Sequence, residues 1–240
     1  MNVDTMLKNK RVLVNGCSFS RGPIAWPYHL QQLIEFDLVN LALSAAGNTY
    51  IHNATISELS RRPYDFVFVM WSGLQRNDIQ VEDISLFEQC VTSHKQVLLN
   101  DWAEKTVWPV NDQDYVEKNW VFVGMDNEHL QRIKFSEYIK YRSSNNETYQ
   151  SLMHMVTLQA VLKQMNMPYV FSFYNNYVAE LKKHQDLYSL LDQTNICQLT
   201  NISDIAQELD SYDVDGYHPG TEANSKWAKQ LIEFINAKTE

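Results

Sequence analysis

The run Phe66-Val67-Phe68-Val69-Met70-Trp71 is apolar at every position, and so on both faces of any strand that it forms. A strand with one wetted face alternates apolar with polar, whereas a continuous run suits the interior of a parallel sheet covered by helices on both sides. Parallel strands need long crossovers, so amphipathic helices are required between the strands. The chain supplies them. Val12 to Val14, Asp37 to Ala42 and Tyr169 to Phe173 read as further strands, with a short piece around Ile196 to Leu199. Between them Trp26 to Phe36 carries Trp26, Leu30, Leu33 and Ile34 at helical spacing, with Pro27 in the first turn. Asn48 to Ser60 repeats the pattern with Ile51, Thr55, Ile56 and Leu59 and is closed off by Pro63. Glu147 to Asn166 carries Leu152, Val156, Leu158 and Leu162. The last helix starts near Thr221, read as its N-cap, and places Ala223, Trp227, Leu231, Phe234 and Ile235 on one face. This order predicts an α/β fold, a three-layer α/β/α sandwich around a parallel sheet of about five strands.

Residues from about 81 to 146 break the alternation. Connections inside compact domains are short, so a stretch of this length is expected to have structure of its own and to lie over the site as a cap or wall. It carries Trp102, Trp108, Tyr115, Trp120, Phe122, Tyr138 and Tyr141, which suit either the core of the excursion or a surface that stacks on a sugar or covers an acyl chain. With this insertion included, 1–240 reads as a single domain.

The charge balance narrows the partners. A formal net charge of −9, with no Lys/Arg cluster, argues against nucleic acid, whose binding depends on basic patches that release counterions. No apolar run is long enough to cross a bilayer, and MNVDTMLKNK has no apolar core of a secretory signal, so a cytoplasmic setting without membrane contact is expected. The three cysteines Cys17, Cys90 and Cys197 are odd in number and widely spaced, which suits reduced thiols better than disulfides or a zinc site. In that setting the sequons at Asn53, Asn146 and Asn201 carry no function. His29, His52, His94, His154 and His184 have no metal-ligand spacing and are assigned to packing or surface.

Two short stretches carry chemistry. Arg11 to Ser20 reads as a strand that ends in the turn Asn15-Gly16-Cys17-Ser18, which would hold the Ser18 hydroxyl at the mouth of the next helix. Near the other end, Asp215-Gly216-Tyr217-His218-Pro219 spaces an acid three residues before a histidine, so that Asp215 can fix the tautomer of His218 while the far ring nitrogen faces a serine. Asp126 and His129 share that spacing, but the Asp215 pair lies between the last strand region and the last helix, and Asp126 suits a local helix cap. Ser20 and Cys17 are the rival nucleophiles; Ser20 suits a hydrogen bond within the turn, and Cys17 a small buried apolar role. In a parallel sheet these loops emerge together at the carboxyl ends of the strands.

With both stretches in hand the chain resembles the SGNH, or GDSL-like, hydrolases. Gly16-Cys17-Ser18-Phe19-Ser20 is similar to the family's Gly-Asp-Ser opening, with Cys17 in place of Asp, and Asp215-Gly216-Tyr217-His218-Pro219 fits its Asp-x-x-His closing block. Asn40 to Thr49 looks like the second block, and Ser72-Gly73-Leu74-Gln75-Arg76-Asn77-Asp78 like the third, with Asn77 two residues off the family spacing. The resemblance implies a flavodoxin-like sheet and a serine hydrolase without metal or cofactor, using Ser18, His218 and Asp215 on a small ester such as an O-acetyl group on a glycan. It also implies oxyanion donors at the backbone N–H groups of Ser18 and Gly47 and a side chain from the third block: Asn77, or else Ser72 or Gln75. An acyltransferase built on the same site, and a noncatalytic binding protein that keeps the scaffold, are the alternatives.

Overall fold

The computed structural model describes residues 3–44, 46–80, 120–123 and 143–238. After a short helix α1 (Val3–Leu7), strand β1 (Arg11–Asn15) leads through a tight 3-10 turn, Ser18–Ser20, into α2 (Trp26–Ile34). Then follow β2 (Asp37–Asn40), α3 (Asn48–Arg61), β3 (Phe66–Trp71) and a short two-stranded antiparallel ribbon of β4 (Asn77–Gln80) and β5 (Trp120–Val123). Helix α4 (Ser144–Gln164), strand β6 (Tyr169–Phe173), helix α5 (Ile202–Glu208) and helix α6 (Thr221–Ala237) complete the frame, with short helical turns between 178 and 195.

The main sheet has the order β2-β1-β3-β6, parallel throughout. An isolated parallel bridge from Phe171 to Ile196 adds the start of a fifth strand beside β6, where the short piece at Ile196 was expected. The apolar run Phe66–Trp71 is the interior strand β3, buried at all six positions between β1 and β6. Helices α2 and α6 pack together, as do α3 and α4, and the right-handed crossovers that parallel strands favour set the two pairs on opposite faces of the sheet. The result is the α/β sandwich read from the sequence, with four strands in the parallel sheet where about five were expected, because the piece at Ile196 makes a single bridge and no strand.

Most of the excursion between 81 and 146 lies outside the described residues. So do Trp102, Trp108, Tyr115, Tyr138, Tyr141, Cys90, His94 and the Asp126/His129 pair. Elsewhere the corrections are local. Leu33 is 47% exposed, because the buried stripe of α2 is Trp26, Pro27, Leu30 and Ile34. The N-cap of α6 is Gly220, and Thr221 is already helical. Strand β2 stops at Asn40, whose side-chain oxygen accepts the Ala42 N–H at 3.0 Å and turns the chain away.

The packing roles assigned to His52 and His154 are realised as a pair. Their rings pack at a tilt between α3 and α4 with centroids 4.9 Å apart, His154 Nε2 lies 3.3 Å from Thr49 Oγ1, and His52 Nε2 lies 3.0 Å from Thr157 Oγ1. Burial, and then the neighbouring His52, push the His154 pKa down to about 4; burial lowers that of His52 as well. The unfolded chain therefore takes up protons that the fold refuses. The pair contributes its full stability above about pH 6.5 and loses it as the pH falls toward 4. His154→Gln is expected to flatten the acid limb of a stability–pH curve over that window by about 2 to 3 kcal/mol, measured by urea unfolding at pH 4.5 and 7. Parallel curves for the variant and the wild type would show that the histidine pair does not set the acid limb.

Candidate active site

The turn that carries Ser18 is held from below. Strand β1 ends at the wholly buried Asn15, whose Oδ1 accepts the Gly16 N–H at 2.8 Å while its Nδ2 donates to the Ile51 carbonyl and to Thr55 Oγ1, both at 3.0 Å. One side chain thus pins the turn to α3. Gly16 is required here, because a Cβ on it would lie 2.5 Å from Ser20 Oγ and 3.1 Å from the Met70 carbonyl. Cys17 has no exposed surface and lies in the core cluster. Ser20 is also fully buried; its Oγ accepts the Trp26 indole N–H at 3.0 Å and its carbonyl accepts Asn40 Nδ2 at 2.8 Å. Both rivals are therefore enclosed, and Ser18, at the head of the 3-10 turn, is the hydroxyl left half-exposed.

The second loop is ordered by its own backbone. The Asp213 N–H donates to the His218 carbonyl at 2.7 Å, and the Gly216 N–H to the Asp213 carbonyl at 2.8 Å. Gly216 sits at φ +69°, a conformation that favours glycine. Asp215 Oδ1 accepts the backbone N–H groups of Tyr217 and His218 at 2.8 and 2.9 Å, and Asp215 Oδ2 lies 2.5 Å from His218 Nδ1. Partial burial opposes the Asp215 charge. The His218 side chain and these two N–H groups outweigh it and hold the pKa down at about 2. An ionised acceptor at Nδ1 fixes that nitrogen as the donor and leaves Nε2 with its lone pair.

Two contacts bring the ends of the chain together. Phe19, the residue after Ser18, packs against the His218 ring with centroids 5.2 Å apart, and also against Tyr217 and Tyr174. Behind them the buried Asn224 of α6 accepts the Trp26 N–H at 2.9 Å and donates to the Pro219 and Gly220 carbonyls at 2.7 and 3.0 Å. The helix after the serine turn and the loop carrying His218 are thus tied by one amide.

The remaining predicted residues lie at the same end of the sheet. Gly47 is the N-cap of α3, but its N–H donates to Asp78 Oδ1 at 2.7 Å, while the Tyr50 N–H donates to Asp78 Oδ2 at 2.8 Å. The Gly47 N–H is already used in this arrangement and is not a free donor. Burial pushes the Asp78 pKa up to about 6, against the pull of those two N–H groups and of Arg76. Ser72 follows β3 directly. Its N–H donates to Asn48 Oδ1 at 2.9 Å, and its Oγ accepts Arg76 Nη1 at 3.1 Å. Gln75 is exposed at the tip of the turn, and Asn77 opens β4 beyond it. Among the described residues, no group of three or more His, Cys, Asp or Glu side chains is placed to hold a metal ion. None of the described helices is long and apolar enough to cross a membrane.

No protein-family model matches the chain, and no characterised protein matches it in sequence. Solved structures do. TesA superposes at a TM-score of 0.50 with 8% identity, over 95% of this chain and 98% of that one. The fold is that of the SGNH hydrolases. Two more neighbours are the psychrotrophic esterase EstA from Pseudoalteromonas sp. and the acetylxylan esterase Axe2 from Geobacillus stearothermophilus. EstA superposes at 0.49 with 12% identity, over 94% of this chain and 96% of its own. Axe2 gives 0.45 with 12% identity, over 96% and 95%. At such identities the likeness speaks to the fold alone.

Within the SGNH fold, four residues stand at the site that the motifs did not single out as site residues: Asn15, Arg76, Asp78 and Asn224. Asn15 lay in the turn read as polar, and Arg76 and Asp78 in the third block. Asn224 gave only the weak signal of an amide in the first turn of an amphipathic helix.

Proposed function

We propose that this protein is a serine esterase in which Ser18 is the nucleophile, His218 the general base and Asp215 the group that orients His218. The observation that carries the reading is the Asp215–His218 pair, with Nδ1 engaged by an ionised carboxylate and the ring packed on Phe19 beside Ser18. As Ser18 Oγ bonds to the ester carbon, Nε2 of His218 takes its proton and the carbonyl π pair moves onto oxygen. Collapse expels the alcohol, which leaves with the proton from His218. Water then attacks the acyl-enzyme, gives its proton to His218 and releases the acid, and the proton returns to Ser18.

The substrate class that suits the site is a small acyl ester such as an O-acetyl group on a glycan. Tyr217, 60% exposed and edge-on to the His218 ring at 5.2 Å, offers a sugar a stacking face next to the reacting atoms.

A fluorophosphonate probe tests nucleophile activation without knowledge of the natural ester. The folded wild type is expected to become labelled at Ser18, read by peptide mass spectrometry, and Ser18→Ala is expected to take up no label. An unlabelled wild type, or label on another residue, would overturn the assignment.

A further inference from the structure

We propose that the Arg76 guanidinium is the side-chain donor to the oxyanion formed at Ser18, an assignment that rests on the serine-esterase reading above. Of the residues expected from the third block, Ser72 has its Oγ engaged by Arg76, Gln75 is exposed at the turn tip, and Asn77 belongs to β4. The Gly47 N–H is committed to Asp78, which leaves room beside the Ser18 N–H for a side-chain donor from the described residues.

Arg76 is close to where that donor is needed. Its Cβ would lie 3.0 Å from a Cβ placed on Gly47, the residue expected to line the oxyanion. Its Cζ stands 5.8 Å from the Tyr174 ring, which packs on Phe19 at 4.4 Å. Its field reaches Cys17 and Tyr217, the residues immediately before Ser18 and His218.

Its bonding also leaves capacity to spare. Nη1 donates to Ser72 Oγ at 3.1 Å and, more weakly, to the Ala46 carbonyl at 3.4 Å. Those two acceptors fix the plane of the group without neutralising it. No carboxylate among the described residues lies within ion-pair distance, and Asp78 turns its oxygens to Gly47 and Tyr50. A guanidinium presents five donors in a rigid fork and gives up water more readily than an ammonium, so it can be held largely buried with donors unused.

A cation held in this way interacts weakly with a neutral ester carbonyl. It interacts strongly with the negative oxygen that forms when Ser18 attacks. No proton leaves Arg76; the charge on oxygen builds against its N–H groups and disappears when the C=O bond re-forms. Its contribution therefore belongs in kcat.

The test uses the full chain, p-nitrophenyl acetate as a neutral ester and a fluorophosphonate whose phosphoryl oxygen mimics the oxyanion. Arg76→Met is expected to lower kcat about 10²- to 10³-fold at nearly unchanged KM, with a matching fall in the rate of Ser18 labelling. Arg76→Lys is expected to fall between Arg76→Met and wild type, and methylguanidinium to restore part of the rate to Arg76→Ala. Melting temperatures separate these effects from misfolding, and rescue by methylguanidinium would itself require an intact site. Wild-type kcat in Arg76→Met, or a loss seen only in KM, would overturn the assignment while leaving the esterase reading standing. A wild type that takes no label overturns that reading, and this assignment with it.

Discussion

His218→Ala is expected to lower turnover of a simple ester such as p-nitrophenyl acetate by about 10³- to 10⁴-fold while leaving the fold intact. The kinetic loss is large because, without Nε2, the Ser18 proton has no acceptor and the departing alkoxide no donor. The structural loss is small for a reason visible in the loop. Its shape is set by backbone bonds, Asp213 N–H to the His218 carbonyl and Gly216 N–H to the Asp213 carbonyl, neither of which involves the imidazole. Asp215 also keeps the N–H groups of Tyr217 and His218 when the ring is gone. Asp215→Asn gives the complementary result. An amide can donate to Nδ1, favouring the tautomer with the proton on Nε2, so activity is expected to fall although hydrogen bonding is kept. Steady-state kinetics beside a thermal melt decides both cases. Wild-type turnover in His218→Ala would exclude it as the base, and a collapsed melting temperature would make it a structural residue instead.

What could be read in advance depended on how far apart in sequence the interacting groups lie. Strands β3 and β6 were bounded correctly because a fully buried strand writes its environment into every residue, as in Phe66 to Trp71 and Tyr169 to Phe173. The Asp215–His218 pair was legible because both partners sit in one turn, three residues apart. Asn15 and Asn224 were not, since their hydrogen bonds reach 36 residues to Ile51 and 198 residues to Trp26, and a lone buried amide has no pattern. The third block failed for a related reason. Residue type pointed to Asn77 against a spacing two residues off, and the fold puts that residue at the start of a strand, with Arg76 donating to Ser72 in the turn before it and Asp78 returning to cap α3. The cysteine at position 17, where the family has aspartate, reads differently once the fold is seen. Cys17 lies in the core, and the polar anchoring of the turn comes from Asn15, two residues earlier.

Trp227→Ala is expected to be the most damaging single substitution in α6, costing about 3 to 5 kcal/mol of a total stability that is only about 5 to 15 kcal/mol for proteins of this kind. The indole is 0% exposed, in the helix face that packs on α2 and α5, and its removal leaves a cavity that rigid neighbouring elements fill poorly. For a chain of this length the loss corresponds to a fall in Tm of about 10 °C. Trp227→Phe separates packing from polarity. The indole N–H has no hydrogen-bond partner among the described residues, so exchanging it for a phenyl ring removes an unsatisfied donor along with some volume, and a cost of about 1 kcal/mol is expected. The consequence extends to the site. Helix α6 carries Asn224, which holds the Pro219 and Gly220 carbonyls directly after His218. Loosening the helix at Trp227 should therefore lower kcat at temperatures where the chain is still folded, whereas Trp227→Phe should not. A Trp227→Ala protein with full activity up to its lowered Tm would show that the His218 loop is positioned by its own turn and Phe19 without the helix behind it.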